Sequence, residues 1–166
     1  MKALMTKNSS YEPINVLLIG NNPIELGPVL EKLRQVRSRK VVSEIAFDLP
    51  TITERLLKFR PNFILIDDNI GRAQLAEVVG KLSSNRRTRG IPITVLKNNN
   101  YSEALASINV QDYLLKQNLT TEALYNTIKS TLRFRRTQEL LNKAFSTRKS
   151  LLKKMLDKGG VLNLIG

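Results

Sequence analysis

A chain of 166 residues allows one domain of ordinary size plus an extension, and a hydrophobic share of 42% is enough to bury a core, which excludes wholesale disorder. The absence of cysteine and histidine excludes disulfide frameworks, thiolate chemistry, histidine general bases and every Ser-His or Cys-His nucleophile pair, so an enzyme would have to work with carboxylates, lysines and hydroxyls; with no P-loop and no dinucleotide fingerprint after the first apolar run, no enzymatic activity is expected. The net charge of +13 is uneven, because residues 133–166 carry nine basic and two acidic groups, a net of +7, whereas residues 14–132 carry only +5.

Residues 1–13 are polar and are expected to fray. They lack the apolar stretch of a secretory signal. No later run approaches the roughly 20 apolar residues that span a bilayer, so a cytoplasmic protein is expected. Ile14–Ile19 (INVLLI) is a short apolar run closed by Gly20-Asn21-Asn22-Pro23, which predicts a buried strand. From Ile24 to Val36, Leu26, Val29, Leu30 and Leu33 have helical spacing, with Pro28 expected in the first turn. Val41–Ala46 is a second strand. Leu49-Pro50 opens a helix with Leu56, Leu57 and Phe59 on its buried side. Phe63–Ile66 (FILI) is a third strand and ends at Asp67-Asp68. Gln74–Leu82 is helical by its spacing of Leu75, Val78, Val79 and Leu82. Ser83–Gly90 is a basic loop, Ile91–Leu96 a fourth strand, Ser102–Ile108 a short helix and Asp112–Leu115 a fifth strand ending at Lys116. Thr121–Leu132 is a helix with Leu124, Ile128 and Leu132 on one face, preceded by a capping stretch at Thr120-Thr121-Glu122.

This alternation predicts an α/β fold, a five-stranded parallel sheet wound on both faces, because each crossover must return over the sheet. Unbroken apolar strands such as INVLLI and FILI fit strands covered on both sides. Polar residues at the carboxyl ends of such strands should converge on one edge. Here those residues are Gly20, Asn21, Asp67, Asp68, Lys97 and Lys116.

Four segments, VLLIGNNP (16–23), RPNFILIDDNIG (60–71), IPITVLK (91–97) and VQDYLLKQ (110–117), resemble the receiver domain of bacterial response regulators in order and spacing. The resemblance covers residues 14–132 and implies a flavodoxin-like, receiver-like fold in phosphorelay signalling. It implies that Asp67 stands at the phosphoacceptor position, Lys116 at the phosphate-contacting lysine and Tyr113 at the aromatic switch. It also marks departures. The two acidic positions that hold Mg²⁺ in the family fall on Gly20 and Asn21, and the hydroxyl position after the fourth strand is Lys97. Gln117 replaces the proline that follows the lysine. A hard divalent cation wants anionic oxygens, so Mg²⁺ binding is expected to be weak or absent, with no other cofactor. The expected arrangement has Lys97 and Lys116 both directed at Asp67, with the Lys97 ammonium compensating its charge in place of the metal. Plainer readings exist: Gly20-Asn21-Asn22 also suits a turn, and the two lysines also suit a solvated surface.

Beyond residue 132 the chain continues for 34 residues, a basic amphipathic helix by the spacing of Leu141, Ala144, Phe145, Leu151, Leu152, Met155 and Leu156, with Arg148 inside the apolar stripe and Gly159-Gly160 expected to end it. Protein–protein contact is the expected use: with a histidine kinase, with a downstream regulator or with a second copy as a homodimer. Nucleic acid and anionic membrane rank behind it, since no helix-turn-helix follows the domain and aromatics number only nine. The leading function is an atypical receiver-like signalling protein. The alternatives are a conventional phosphoaccepting single-domain response regulator using Asp67 and a basic nucleic-acid-binding adaptor.

Overall fold

The computed structural model describes residues 12–98 and 112–162. By contacts the chain divides into two units, Met1–Thr131 and Leu132–Gly166. The first holds five parallel strands: β1 (Ile14–Ile19), β2 (Val41–Ala46), β3 (Phe63–Asp67), β4 (Ile93–Lys97) and β5 (Asp112–Leu115), in spatial order β2-β1-β3-β4-β5. Helix α1 (Pro23–Gln35) follows β1, α2 (Leu49–Lys58) follows β2, and a single 3-10 turn (Asp68–Ile70) and α3 (Arg72–Ser84) follow β3. Helix α4 (Thr121–Leu162) begins in the first unit and supplies the second. The expected helix at Ser102–Ile108 lies outside the described residues.

The caps show why the helices start where they do. Asn22 accepts a hydrogen bond from the backbone N–H of Ile24 at 3.0 Å, and Pro23 takes the first helical position, where its missing N–H is not needed. Because α1 begins at Pro23, Pro28 lies inside the helix rather than in its first turn, where it removes one backbone bond. Asp48 caps α2 by accepting from the Thr51 N–H at 2.7 Å. Ile52 is the buried residue of α2, with Leu49 and Leu56 packed against the core. Leu57, expected inside, is 59% exposed, because it falls beyond the stripe that Leu49, Ile52 and Leu56 define. In α3 all four expected core residues are buried.

The second unit also differs from expectation. One helix runs from Thr121 through Leu162, continuing past Gly159-Gly160. Glycine costs a helix only about 1 kcal/mol per residue and stops it only where a left-handed cap forms, and the helix forms none at this pair.

Strand alternation decides which side chains share a face. Leu17, Ile19, Ile64, Ile66 and Val95 belong to one cluster with Ile52, Leu75, Val78 and Val79. The alternate residues Val16, Leu18, Phe63, Leu65 and Leu96 are equally buried and face the other side, where Leu26 of α1 lies against Gly20. The register pairs Asp67 with Leu96, and Leu96 with Leu114. Parallel neighbours in register point the same way, so Asp67, Leu96 and Leu114 share one face. Lys116, two residues beyond Leu114, continues it, and Lys97, one residue beyond Leu96, takes the opposite side.

Candidate functional site

The carboxyl ends of β1, β3, β4 and β5 meet as expected, and the chemistry centres on Asp67. This last residue of β3 is only 1% exposed. A buried carboxylate must be paired and hydrogen-bonded to be tolerated. Lys116 Nζ lies 2.8 Å from Asp67 Oδ1 and 3.0 Å from Oδ2. The backbone N–H of Asn69 donates to Oδ1 at 3.0 Å. The Lys116 ammonium has a second carboxylate, Glu25 Oε2, at 2.8 Å. One cation is thus held between two anions, with the lysine side chain itself largely buried.

The electrostatics follow from this bridge. Burial works against the Lys116 ammonium, but hydrogen bonds to Asp67 and then to Glu25 outweigh it and raise its pKa above the lysine value of 10.5. The Lys116 hydrogen bond holds the Glu25 carboxyl below its usual range, although Glu25 itself is open to solvent. Asp68 behaves oppositely. Burial pushes it up; among the described residues its Oδ1 has no hydrogen-bond partner, and its Oδ2 accepts a long 3.4 Å contact from the Asn98 N–H.

Amides complete the rim. Asn21 Nδ2 donates to the Asn69 carbonyl at 3.0 Å, the Asn69 side-chain amide donates to Glu25, and the Asn98 amide donates to the Asn69 side-chain oxygen. Asn118, in the turn after Lys116, has φ 60, a conformation that asparagine tolerates.

One sequence-based placement changes. Lys97 is not directed at Asp67; its ammonium lies 4.7 Å from the centroid of the Tyr113 ring. The cause is the strand period: Lys97 continues the Val95 face, and Val95 pairs in register with Tyr113, so lysine and ring stand together on the side away from Asp67. Tyr113 is packed against the core cluster, and burial raises its phenol pKa. Among the described residues the compensating cation is Lys116, and its second partner, Glu25, is a site residue that sequence reasoning missed. Glu25 stands three residues after the cap Asn22, the spacing of a capping box, so locally it reads as an N-terminal cap. Its side chain instead reaches a lysine 91 residues away.

Gly20 and Asn21 stand beside this site, and the packing there is specific. A Cβ at Gly20 would lie 2.8 Å from Leu26 Cδ1 and 3.0 Å from Cδ2. Leu26 is fully buried and fills the space that a side chain at position 20 would need. Among the described residues, no three carboxylates come together in a group that could hold a metal ion. Also among those residues, no helix is long and apolar enough to cross a membrane. A separate groove of about 870 Å³ opens between α2 and α3, where Pro61 and Ile91 precede β3 and β4, at the opposite ends of the strands.

A parallel sheet in the order β2-β1-β3-β4-β5 with helices in the connections is the fold of the response-regulator receiver domains. A response regulator from Desulfuromonas acetoxidans matches with a TM-score of 0.59 at 16% identity, over 73% of this chain and 98% of that one. The receiver domain of a sensor histidine kinase from Pseudomonas aeruginosa PAO1, whose structure carries a magnesium ion coordinated in the active-site cleft, matches with a TM-score of 0.58 at 17% identity, over 73% and 98%. A yeast Spc42 trimeric coiled-coil segment fused to another protein matches over 93% of this chain and 97% of its own, with a TM-score of 0.60 at 20% identity. Compared with models of known families and with curated protein sequences, the chain matches none. Identities this low establish the receiver fold and leave the chemistry to the residues.

Proposed function

We propose that this chain is a receiver-like signalling module of the cytoplasm that regulates a partner protein by contact, in one fixed conformation, without magnesium-dependent phosphoryl transfer. The observation that carries this reading is the lack of a carboxylate at the two positions beside Asp67, Gly20 and Asn21, with the Asn21 amide nitrogen donating to the Asn69 carbonyl. A carboxylate attacking a phosphoryl group must present a free oxygen, and the charge that builds up must be offset by a metal. Two features argue against a metal. Gly20 offers no ligand, and a Cβ there would already lie 2.8 Å from a Leu26 methyl. Asn21 turns its amide nitrogen to a carbonyl. Lys97, bound to the Tyr113 ring, is poorly placed to draw in a loop on phosphorylation.

The test combines a small phosphodonor with Mg²⁺. Incubation with acetyl phosphate and millimolar MgCl₂, followed by phosphate-affinity electrophoresis, is expected to leave the chain unlabelled, and calorimetric titration is expected to give no Mg²⁺ binding below about 10 mM, weaker than dedicated sites at the weak end of the protein range. Labelling that vanishes in Asp67→Asn would establish the conventional phosphoaccepting response regulator instead. The Asp67–Lys116 pair is the observation that keeps this second reading in play.

A further inference from the structure

The second unit is a helix whose large apolar side chains are exposed among the described residues. Leu141, Phe145, Leu152 and Met155 form a seam that, with Arg148 at its middle, alternates four- and three-residue spacing, and Phe134 extends it seven residues before Leu141. Leu140 and Leu151 widen the seam on one side and Leu156 on the other, and these eight residues are between 54% and 74% exposed. An unpartnered apolar face of this size belongs to an interface.

The distribution of charge around this helix selects among occupants. Leu140 and Leu156 each stand eight residues from Arg148, so at about 100° per residue they lie roughly 80° to either side of it. Arg148 therefore projects from the centre of the apolar arc. Glu139 and Asp157 each stand nine residues from Arg148, which places both roughly 180° away, on the far side of the helix. Arg148 has no ion pair among the described residues, and nothing on its own face offers one.

A second copy of the chain fits poorly. It would bring another unit of net charge +7 alongside, and its seam contains no carboxylate to meet Arg148. An anionic bilayer also fits poorly, because a membrane-surface helix keeps its cations at the edges of the apolar face, where they reach headgroups, and here the guanidinium points straight into the acyl region. A protein groove with a carboxylate in its apolar floor fits both features: guanidinium and carboxylate pair bidentately, and the surrounding seam excludes water from the pair. Acidic residues on the groove's rim would meet the lysines and arginines that flank the seam.

We infer that the helix from Phe134 to Met155 docks into an apolar groove of a partner protein that carries a carboxylate facing Arg148 and an acidic rim. This rests on the reading that the chain acts by protein contact, and it names the chemistry of that contact. The probe is a fluorescein-labelled synthetic amphipathic helix with leucines complementary to the seam and glutamates on its flanks. It is made in two forms, with glutamate or with leucine opposite Arg148. Binding of each to the full chain is measured by fluorescence anisotropy over a salt series.

The glutamate form is expected to bind at least tenfold tighter than the leucine form, to weaken as salt rises, and to lose its advantage with Arg148→Leu. That variant changes an exposed side chain and should keep the wild-type circular dichroism. Equal or tighter binding of the leucine form would overturn the inference. So would dimers of the full wild-type chain in sedimentation at 20 µM, or its flotation with phosphatidylserine–phosphatidylcholine vesicles at 150 mM salt. Phosphorylation of Asp67 would overturn the fixed-conformer reading while leaving the peptide preference intact, so the two failures are distinguishable.

Discussion

Replacing Lys116 with methionine removes the ammonium that, among the described residues, pairs with a carboxylate that is 1% exposed. Methionine keeps most of the lysine's length and apolar stem, so the substitution tests charge rather than packing. At 2.8 Å and an effective dielectric constant of about 20, the Coulomb attraction is of order 6 kcal/mol before the cost of desolvating the ammonium is subtracted. Removing one partner of a buried pair costs about 3–5 kcal/mol in measured cases. The lysine side chain retains 13% exposure, and the Asn69 N–H still serves Asp67, so the low end applies, about 3 kcal/mol. For a chain of this size that corresponds to a fall in Tm of roughly 6–12 °C.

The assay is urea unfolding followed by far-ultraviolet circular dichroism, since the chain has no tryptophan. The decisive comparison is Lys116→Met in an Asp67→Asn background. Asparagine carries no charge to strand, so there the same change should cost less than about 1 kcal/mol. Equal costs in the two backgrounds would refute the claim that Lys116 acts by compensating Asp67. Within the same series, the wild type should lose stability as pH rises past the lysine value of 10.5 and through the raised pKa of Lys116, because below that range the paired ammonium favours the folded state. Lys116→Met should lack this alkaline step.

Gly20→Ala places a methyl group against a fully buried leucine and should cost about 1–3 kcal/mol in urea unfolding, whereas Asn21→Ala at an exposed position should cost less than about 1 kcal/mol. Adding Leu26→Val to Gly20→Ala should cost less than the two changes summed, and strict additivity would show that Leu26 is not what excludes a side chain at position 20. Glu25, whose pKa is lowered by Lys116, stabilises the folded state above its ordinary value of 4.5 and loses that contribution as pH falls, so Glu25→Gln should flatten the acid limb of the stability curve. Asp68, raised by burial, works the other way: its charged form disfavours the folded state, so Asp68→Asn should stabilise the chain at pH 7 and the gain should fade in acid. A loss of stability in Asp68→Asn at neutral pH would contradict this sign. Lys97→Gln removes the contact with the Tyr113 ring and should cost about 0.5–1 kcal/mol, with the same loss for Tyr113→Leu in the cation–π part of a double-mutant cycle.

The sequence by itself determined the order of elements, the parallel sheet and the approach of Asp67 and Lys116, because buried strands announce themselves as apolar runs and their carboxyl ends must lie together. It also determined that the second unit is a basic amphipathic helix, since periodicity is a local property. The tertiary structure decided what periodicity cannot reach. Lys97 and Lys116 look equivalent along the chain, and only the pairing of Asp67 with Leu96 and Leu96 with Leu114 sends one lysine to the carboxylate and the other to the Tyr113 ring. Glu25 carries no local sign of its partner, which lies 91 residues away. Gly20 suits a turn by its residue type, and only the fold sets the Leu26 methyls against it. A one-residue step along a strand reverses the face of a side chain, and a contact between distant residues exists only after the chain has folded, so these three facts belong to the fold rather than to any stretch of sequence.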